Sequence, residues 1–326
     1  MIGEFEMIAR YFAPLAKGQP AALGLVDDAA VLTPPPGREL VLTADAMVSG
    51  VHFLPDDAAG GVAQKLLRVN LSDLAAMGAT PLGYLLTCAW PKDIEESWVA
   101  AFAKGLAEDQ QRFDLAVLGG DMTATPGPLT LSLTALGHVT PGRALRRSGA
   151  RAGDRIYVSG AIGDGALGLL VLTHRLHGIS REAAEALAER YHRPTPRVAL
   201  GQALSRHGLA HACLDVSDGL VADLGHIART SKLAARVKAK RVPLSLAARE
   251  ALAENLGLFP LLLTGGDDYE LCFTAAPEKA PAIEALAQEL ALPLTDIGYM
   301  MAGEGVEVLD RDDKAIALAR AGWTHF

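Results

Sequence analysis

Residues 214–220 read LDVSDGL. Two aspartates and a serine stand in an otherwise apolar run, and a glycine closes it. A core strand has no use for two carboxylates, because burying an unpaired charge costs several kcal/mol. The stretch therefore reads as a strand, a tight turn that carries the acids, and a helix over about residues 218–231. Strand, acidic turn and helix in that order belong to a chain that mixes α and β elements. They also raise the question of what Asp215 and Asp218 hold.

The same pattern recurs along the chain. Asp27 and Asp28 follow LGLV, Asp45 sits in LVLTADAMV, and Asp73 sits in NLSDLAAMG. Asp121 follows LAVLGG, and Asp267 and Asp268 follow LLLTGG. One such aspartate is more often a turn former or a helix cap than a ligand. Repetition changes that balance. Carboxylates gathered together repel unless cations neutralise them. Oxygen ligands suit Mg²⁺, which keeps waters and binds through a few carboxylates plus substrate phosphates. Glycines beside the acids let phosphates come close to the backbone. The residues point to a site that holds several Mg²⁺ ions against a polyphosphate.

The bulk composition agrees. The chain has 326 residues, 50% of them hydrophobic and 21% charged. That length is comfortable for two domains of about 150 residues each. The net charge is −8, with 11 basic against 16 acidic residues up to position 150 and 19 against 22 beyond it. Neither half is basic, which argues against nucleic acid as a partner. An acidic protein that handles anions needs metal ions. Cys88, Cys213 and Cys272 form no C-x-x-C pair and lie in apolar stretches, so they read as small buried hydrophobes in a reducing cytoplasm. The N-terminal MIGEFEMIARYF has two early glutamates and no apolar core, unlike a signal peptide. No apolar run approaches the roughly 20 residues that span a membrane.

The first half alternates elements: a strand and its exit over 39–53, a helix over 58–77, a strand over 82–90 and a helix over 94–112. Strands follow over 114–118 and 128–139. The Gly- and Arg-rich RRSGARAGD reads as a joint before the strand RIYVS. Helices follow over about 164–177, 180–190 and 196–207. The last third mixes the strands YELCFTA and VEVLD with a helix over about 278–291. The expected fold is α/β, or mixed α+β, in two domains, 1–148 and 149–326.

GDGALG at 163–168 matches G-x-G-x-x-G, but helix follows it, with no second strand ending in an acid. A tight strand-to-helix turn is the better reading. No P-loop, H-E-x-x-H or G-x-S-x-G occurs. Ser217 lacks an obvious His–Asp relay and reads as a cap or ligand. His52 closes a strand in GVHF. His192, His207, His211 and His226 read as surface or capping residues. Lys65 and Arg68 precede NLSD on a helix, either solvated or facing phosphate. Arg143, Arg146 and Arg147 form either a solvated joint or a phosphate clamp.

Seven motifs in order then identify a family. DDAAVL, GVHF, NLSDLAAMGATP, GGD, GRAL-RRSGARAGD, LDVSDGL-ADLGHI and GGDDYELCF resemble those of the thiamine-monophosphate kinases. That family belongs to the superfamily of aminoimidazole ribonucleotide synthetase and selenophosphate synthetase. The resemblance runs from GEFEMIARYF to the C-terminal GWTHF. It implies transfer of the γ-phosphoryl group of ATP onto the phosphate of thiamine monophosphate, with several Mg²⁺ ions, in a homodimer. It also implies an N-terminal domain that binds metal and ATP and forms the dimer. The C-terminal domain then completes the ATP and substrate cleft.

Position by position, Asp28, Thr43, Asp45, Asp73, Asp121, Asp215 and Asp218 resemble metal ligands. Gly120, Asp121, Arg147 and Ser217 resemble ATP contacts. His52, Asp267 and Trp323 resemble contacts to the thiamine phosphate. The chain departs from the family at Val26, usually Gly; at Ala44, usually Ser or Thr; at Met122, often Thr; and at Asp267, commonly Glu. Two alternatives stand beside this reading. A selenophosphate synthetase would want a reactive cysteine near the N-terminus, and none precedes Cys88. A lapsed ATP-binding protein has only Val26, Ala44 and Met122 in its favour.

Overall fold

The computed structural model describes residues 3–323; the last residues of GWTHF, 324–326, lie outside them. Two compact units emerge. The first contains the residues up to Leu74 together with Ala79–Gly142, and the second contains Ala75–Gly78 and the chain from Arg143 onward.

A short helix α1 (Glu4–Met7) opens the first unit and leads through single turns to Leu25. There follow β1 (Glu39–Val48), α2 (Ala59–Ala76), β2 (Thr80–Pro91), α3 (Glu96–Phe113), β3 (Val117–Thr125) and β4 (Thr130–Val139). The strands form one sheet in the order β1-β4-β2-β3. Only β2 and β3 run parallel, because α3 carries the chain back between them. Val41 and Met47 of β1, Leu131, Leu133 and Ala135 of β4, and Tyr84, Leu86, Cys88 and Trp90 of β2 are buried on one face of the sheet. Alternation turns Leu40, Leu42, Ala44, Ala46 and Leu85 to the other face, where they are exposed.

The expectations for Lys65 and Arg68 are corrected here: both are buried on α2. Arg68 donates to both carboxylate oxygens of Asp109 on α3, at 2.6 and 2.8 Å. Lys65 donates its ammonium to the His52 carbonyl at 3.0 Å. Both side chains tie elements of the unit together, so neither is a solvated face.

The second unit holds β5 (Arg155–Ser159), α4 (Asp164–Leu172), α5 (Arg181–His192), α6 (Val198–His207), β6 (Ala212–Asp215), α7 (Leu220–Ser231), β7 (Ala234–Lys238), α8 (Leu246–Glu254), α9 (Phe259–Thr264), β8 (Leu271–Ala275), α10 (Ala280–Glu289), β9 (Leu294–Met301) and β10 (Gly305–Leu309). Its sheet runs β10-β7-β9-β5-β8-β6, with β10 and β7 parallel and the other pairs antiparallel. The core gathers Ile156, Val158, Leu214, Leu224, Ile227 and Ile297. α4 ends earlier than its apolar pattern predicts. The hydroxyl of Thr173 bonds back to the Leu169 carbonyl, and Ser180 caps the next helix through the Ala183 amide. The strands β7 and β9 and the helices α8 and α9 are additions to the sequence reading. The three cysteines are free and buried. Among the described residues no helix is long and apolar enough to cross a membrane.

Removing the Asp109 carboxylate leaves the Arg68 charge buried. We expect Asp109→Ala to lose about 3–5 kcal/mol of stability, while Arg68→Met with Asp109→Leu recovers most of it. Urea unfolding followed by tryptophan fluorescence checks this, since Trp90 and Trp98 lie in the same unit.

Candidate active site

In the second unit, the LDVSDGL stretch folds as β6, a turn and α7. Asp215 is buried at the end of β6, while Ser217 and Asp218 are half-buried. The β6–β8 ladder continues beyond its regular part. Val216 N–H donates to the Glu270 carbonyl, Tyr269 N–H to the Val216 carbonyl, and Asp267 N–H to the Ser217 carbonyl at 2.9 Å. The backbones meet so tightly that a Cβ at Gly266 would lie 2.2 Å from the Ser217 oxygen. The backbone N–H of Trp323 donates to the Asp218 carbonyl at 3.0 Å, and Trp323 is 49% exposed. The turn of Asp215, Ser217 and Asp218 is thus joined by the backbones of Asp267 and Trp323, which lie far away in sequence.

The turn is held from below. Oδ2 of Asp223, in the first turn of α7, accepts the amides of Ser217, Asp218 and Gly219 at 3.0, 2.9 and 3.1 Å. Burial pushes the Asp223 carboxyl up to about 7, and the Asp218 charge adds to this, against the three amides that hold it down. Gly219 has φ 120°, a conformation that side-chain-bearing residues rarely adopt.

A parallel arrangement accounts for the GDGALG stretch. Asp268, also buried, accepts the Gly163 amide at 2.8 Å and the Gly165 amide at 3.1 Å, the amides a dinucleotide phosphate would want. Burial drives its carboxyl well above the usual range. Of the paired acids in GGDDYE, therefore, Asp268 is a buried clamp, while Asp267 stays half-buried and accepts the Tyr269 hydroxyl at 3.2 Å. Glu270 is buried against Arg190 at 2.9 Å and against Nε of Arg197 and the Ser159 hydroxyl, both at 2.6 Å.

Arg146 and Arg147 sit in a loop pinned by its backbone. The Arg146 carbonyl accepts the Cys213 amide, and the Arg147 carbonyl accepts the Thr230 hydroxyl. Both arginine side chains are left exposed. His226 is paired with Arg229 at 2.6 Å, and burial followed by the Arg147 and Arg229 charges holds its pKa down. His211 pairs with Asp154 at 2.9 Å.

In the first unit, Asp28, Gly120 and Asp121 line one open cavity of about 560 Å³, with Asp27, Leu85, Thr87 and Met122. The strand reading that stops at residue 118 is too short. β3 runs on through Gly120, whose missing Cβ lets it lie against β2; a Cβ there would stand 1.8 Å from the Leu86 oxygen. A second group lies across β1 and α2. The Thr43 hydroxyl donates to Oδ2 of Asp73 at 2.5 Å, and the Asp45 amide donates to Asn70 at 3.2 Å. His52 accepts the Val48 amide at Nδ1, 3.0 Å away, which leaves its proton on Nε2.

Among the described residues, no three His, Cys, Asp or Glu side chains form a preformed metal cage. The donors are carboxylates and a hydroxyl, all oxygen. Such a set fits Mg²⁺, which takes one or two carboxylates and leaves the remaining positions to water and substrate phosphate.

Comparison with known proteins then places the chain. Residues 26–139 match the N-terminal domain of AIR synthase related proteins, and residues 151–311 match their C-terminal domain. The thiamine-monophosphate kinase of Caulobacter vibrioides is 46% identical over 325 residues, covering 99% of this chain and 90% of that protein. The chain belongs to the thiamine-monophosphate kinase family. A crystal structure of the family from Stenotrophomonas maltophilia K279a is 46% identical, with a TM-score of 0.85, and covers 97% of this chain and 98% of that one. The structure of AaThiL complexed with AMPPCP and TMP is 31% identical, with a TM-score of 0.79, and covers 99% of this chain and 97% of that one.

The departures from the family pattern have local explanations. Val26 has φ −115°, so the position needs no glycine. Ala44 alternates with Thr43 and Asp45 on β1, so a hydroxyl there would point to the opposite face of the sheet. Met122 lines the cavity beside Asp121. Asp267 adopts φ 71°, a left-handed conformation that aspartate tolerates better than most residues. Sequence reasoning missed Asp223. The available signal was its place in the first turn of a helix that begins with a glycine.

Gly120→Ala should force β3 away from β2, and a displacement of about 1 Å at Asp121 predicts roughly a 10²-fold loss of kcat/KM. Gly127→Ala, whose Cβ would come no closer than 3.5 Å to its nearest neighbour, Thr125 Oγ1, should change little. Steady-state kinetics of the two variants checks the contrast.

Proposed function

We propose that this chain transfers the γ-phosphoryl group of ATP directly onto the phosphate of thiamine monophosphate, giving thiamine diphosphate and ADP. The bond from the γ-phosphorus to the β–γ bridging oxygen breaks, and one from an acceptor phosphate oxygen forms. The observation that carries this reading is the junction at the 217–218 turn. There, Ser217 and Asp218 are hydrogen-bonded through their carbonyls to the backbone of Asp267 and Trp323. Groups suited to nucleotide and metal are thereby neighbours of groups suited to the acceptor. The family relationship over nearly the whole chain supports the same reaction.

The acceptor phosphate is already ionised near neutral pH, so no general base is needed. The difficulty is bringing one anion to another, and positioning with charge neutralisation supplies most of the catalysis. Asp28, Thr43, Asp45, Asp73 and Asp121 of the first unit and Asp215 and Asp218 of the second are the residues that would hold Mg²⁺. When bound, Mg²⁺ neutralises phosphate charge and orients the γ-phosphoryl group. Gly120, Asp121, Arg147 and Ser217 bind ATP. His52, with its proton on Nε2, donates to the acceptor, Asp267 contacts it, and the half-exposed Trp323 ring stacks on its cationic thiazolium or pyrimidine. We assign metal and ATP binding and dimer formation to a domain of residues 1–148, and completion of the ATP and substrate site to residues 149–326. The buried free thiols suit the cytoplasm.

The active form is a homodimer in this reading. The exposed sheet face of Leu40, Leu42 and Leu85 in the first unit is too apolar to stay in water, and a second copy is its occupant. Leu42 is 62% exposed at its middle, so Leu42→Arg should convert the dimer to monomer in sedimentation velocity without loss of the folded state.

Incubation with ATP, Mg²⁺ and thiamine monophosphate, followed by separation of the products, tests the activity. Thiamine diphosphate should form, disappear on chelation of the metal, and fall at least ~10²-fold in Asp218→Asn. Nucleotide binding without thiamine diphosphate would sink the kinase reading and favour a lapsed enzyme or another acceptor.

A further inference from the structure

We propose that Asp223 is a positioning residue of the phosphoryl-transfer site, whose single carboxylate oxygen sets the turn that presents Ser217 and Asp218; this rests on the kinase reading above. Oδ2 accepts three successive amides, from Ser217, Asp218 and Gly219, all between 2.9 and 3.1 Å. The residue is 2% exposed. Three consecutive N–H groups converging on one atom fix three consecutive peptide planes. With those N–H groups turned inward, the Ser217 and Asp218 carbonyls turn the other way, to the amides of Asp267 and Trp323. The orientation of nucleotide-side and acceptor-side residues is thus set by one group that touches neither substrate.

The usual acceptor of such bonds, a capping side chain just before the helix, is missing, because the residue there is Gly219. Asp223 reaches back from the first turn of the helix to do the same work. Its oxygen also fills the N-terminus of α7, a place where free amides and the helix dipole would otherwise attract phosphate. Asp268 does the same for the Gly163 and Gly165 amides at α4. The two glycine-led turns before α4 and α7 are therefore closed by the protein's own buried carboxylates. Ser217 and Asp218 are left to meet the ligand through their side chains.

Removing the carboxylate should have two effects that a merely structural residue would not show. The turn loosens, so Mg²⁺-dependent binding of a non-hydrolysable ATP analogue weakens. The three freed amides also become an anion site, so inorganic phosphate begins to inhibit. The experiment compares wild type, Asp223→Asn, Asp223→Ala and Ile227→Ala. Ile227 is fully buried on the same helix and reports destabilisation alone. Calorimetric titration with the analogue and Mg²⁺, kinetics with and without inorganic phosphate, and thermal melting are measured on each.

We expect Asp223→Ala to lose roughly 10²-fold in kcat/KM, with weakened analogue binding and new inhibition by inorganic phosphate. Asp223→Asn keeps an acceptor oxygen and should fall between it and wild type. Ile227→Ala should bind the analogue as wild type does at a comparable loss of melting temperature. Wild-type binding and turnover in both Asp223 variants would overturn the proposal, as would an equal binding loss in Ile227→Ala. If Asp223→Ala does not fold, Asp223→Asn decides by the same two readouts. Wild-type protein that binds the analogue but forms no thiamine diphosphate overturns the kinase reading while the binding comparison still judges the turn. Wild-type protein that binds no analogue overturns both.

Discussion

Three backbone amides converging on one oxygen of Asp223 are the contact on which the second unit's site depends. A helix beginning at a glycine has orphan amides at its N-terminus, and they must find an acceptor. Here the acceptor comes from inside the helix. Its position dictates which way the preceding peptides face, and so where Asp267 and Trp323 can attach. The chain also spends a second carboxylate, Asp268, on the turn before α4. At these two turns the chain's own carboxylates take the amides that an anion could otherwise use.

The first unit solves a different problem with the same economy. Its sheet has one face buried under helices, where the Arg68–Asp109 pair locks α2 to α3. Its other face is apolar and exposed along β1 and β2. The close approach of Gly120 to Leu86 lets β3 continue past its glycines, which carries Asp121 into the cavity that Asp28 also lines. Position 44 is on the side of β1 away from Asp45, the side that Leu85 and Thr87 of β2 share. The ordinary backbone at Val26 likewise shows why glycine is dispensable there.

Much of this was legible in the chain itself. Apolar runs ending in acids, the mixed order of strands and helices, and the motifs from DDAAVL to GGDDYELCF are local patterns. Local patterns survive in a one-dimensional reading because strand and helix periodicities are properties of neighbouring residues. The family and the α/β class followed from them.

The roles of individual acids were decided by tertiary structure alone. Asp267 and Asp268 are adjacent and identical in type, yet one is half-exposed and the other is a buried clamp on Gly163 and Gly165. Arg68 looked equally suited to water or phosphate until α3 supplied Asp109, 41 residues later. Asp223 drew no attention in a helix, because what makes it matter is the direction of three N–H groups. Burial, partner and orientation are set by segments distant in sequence, and no spacing along the chain encodes them.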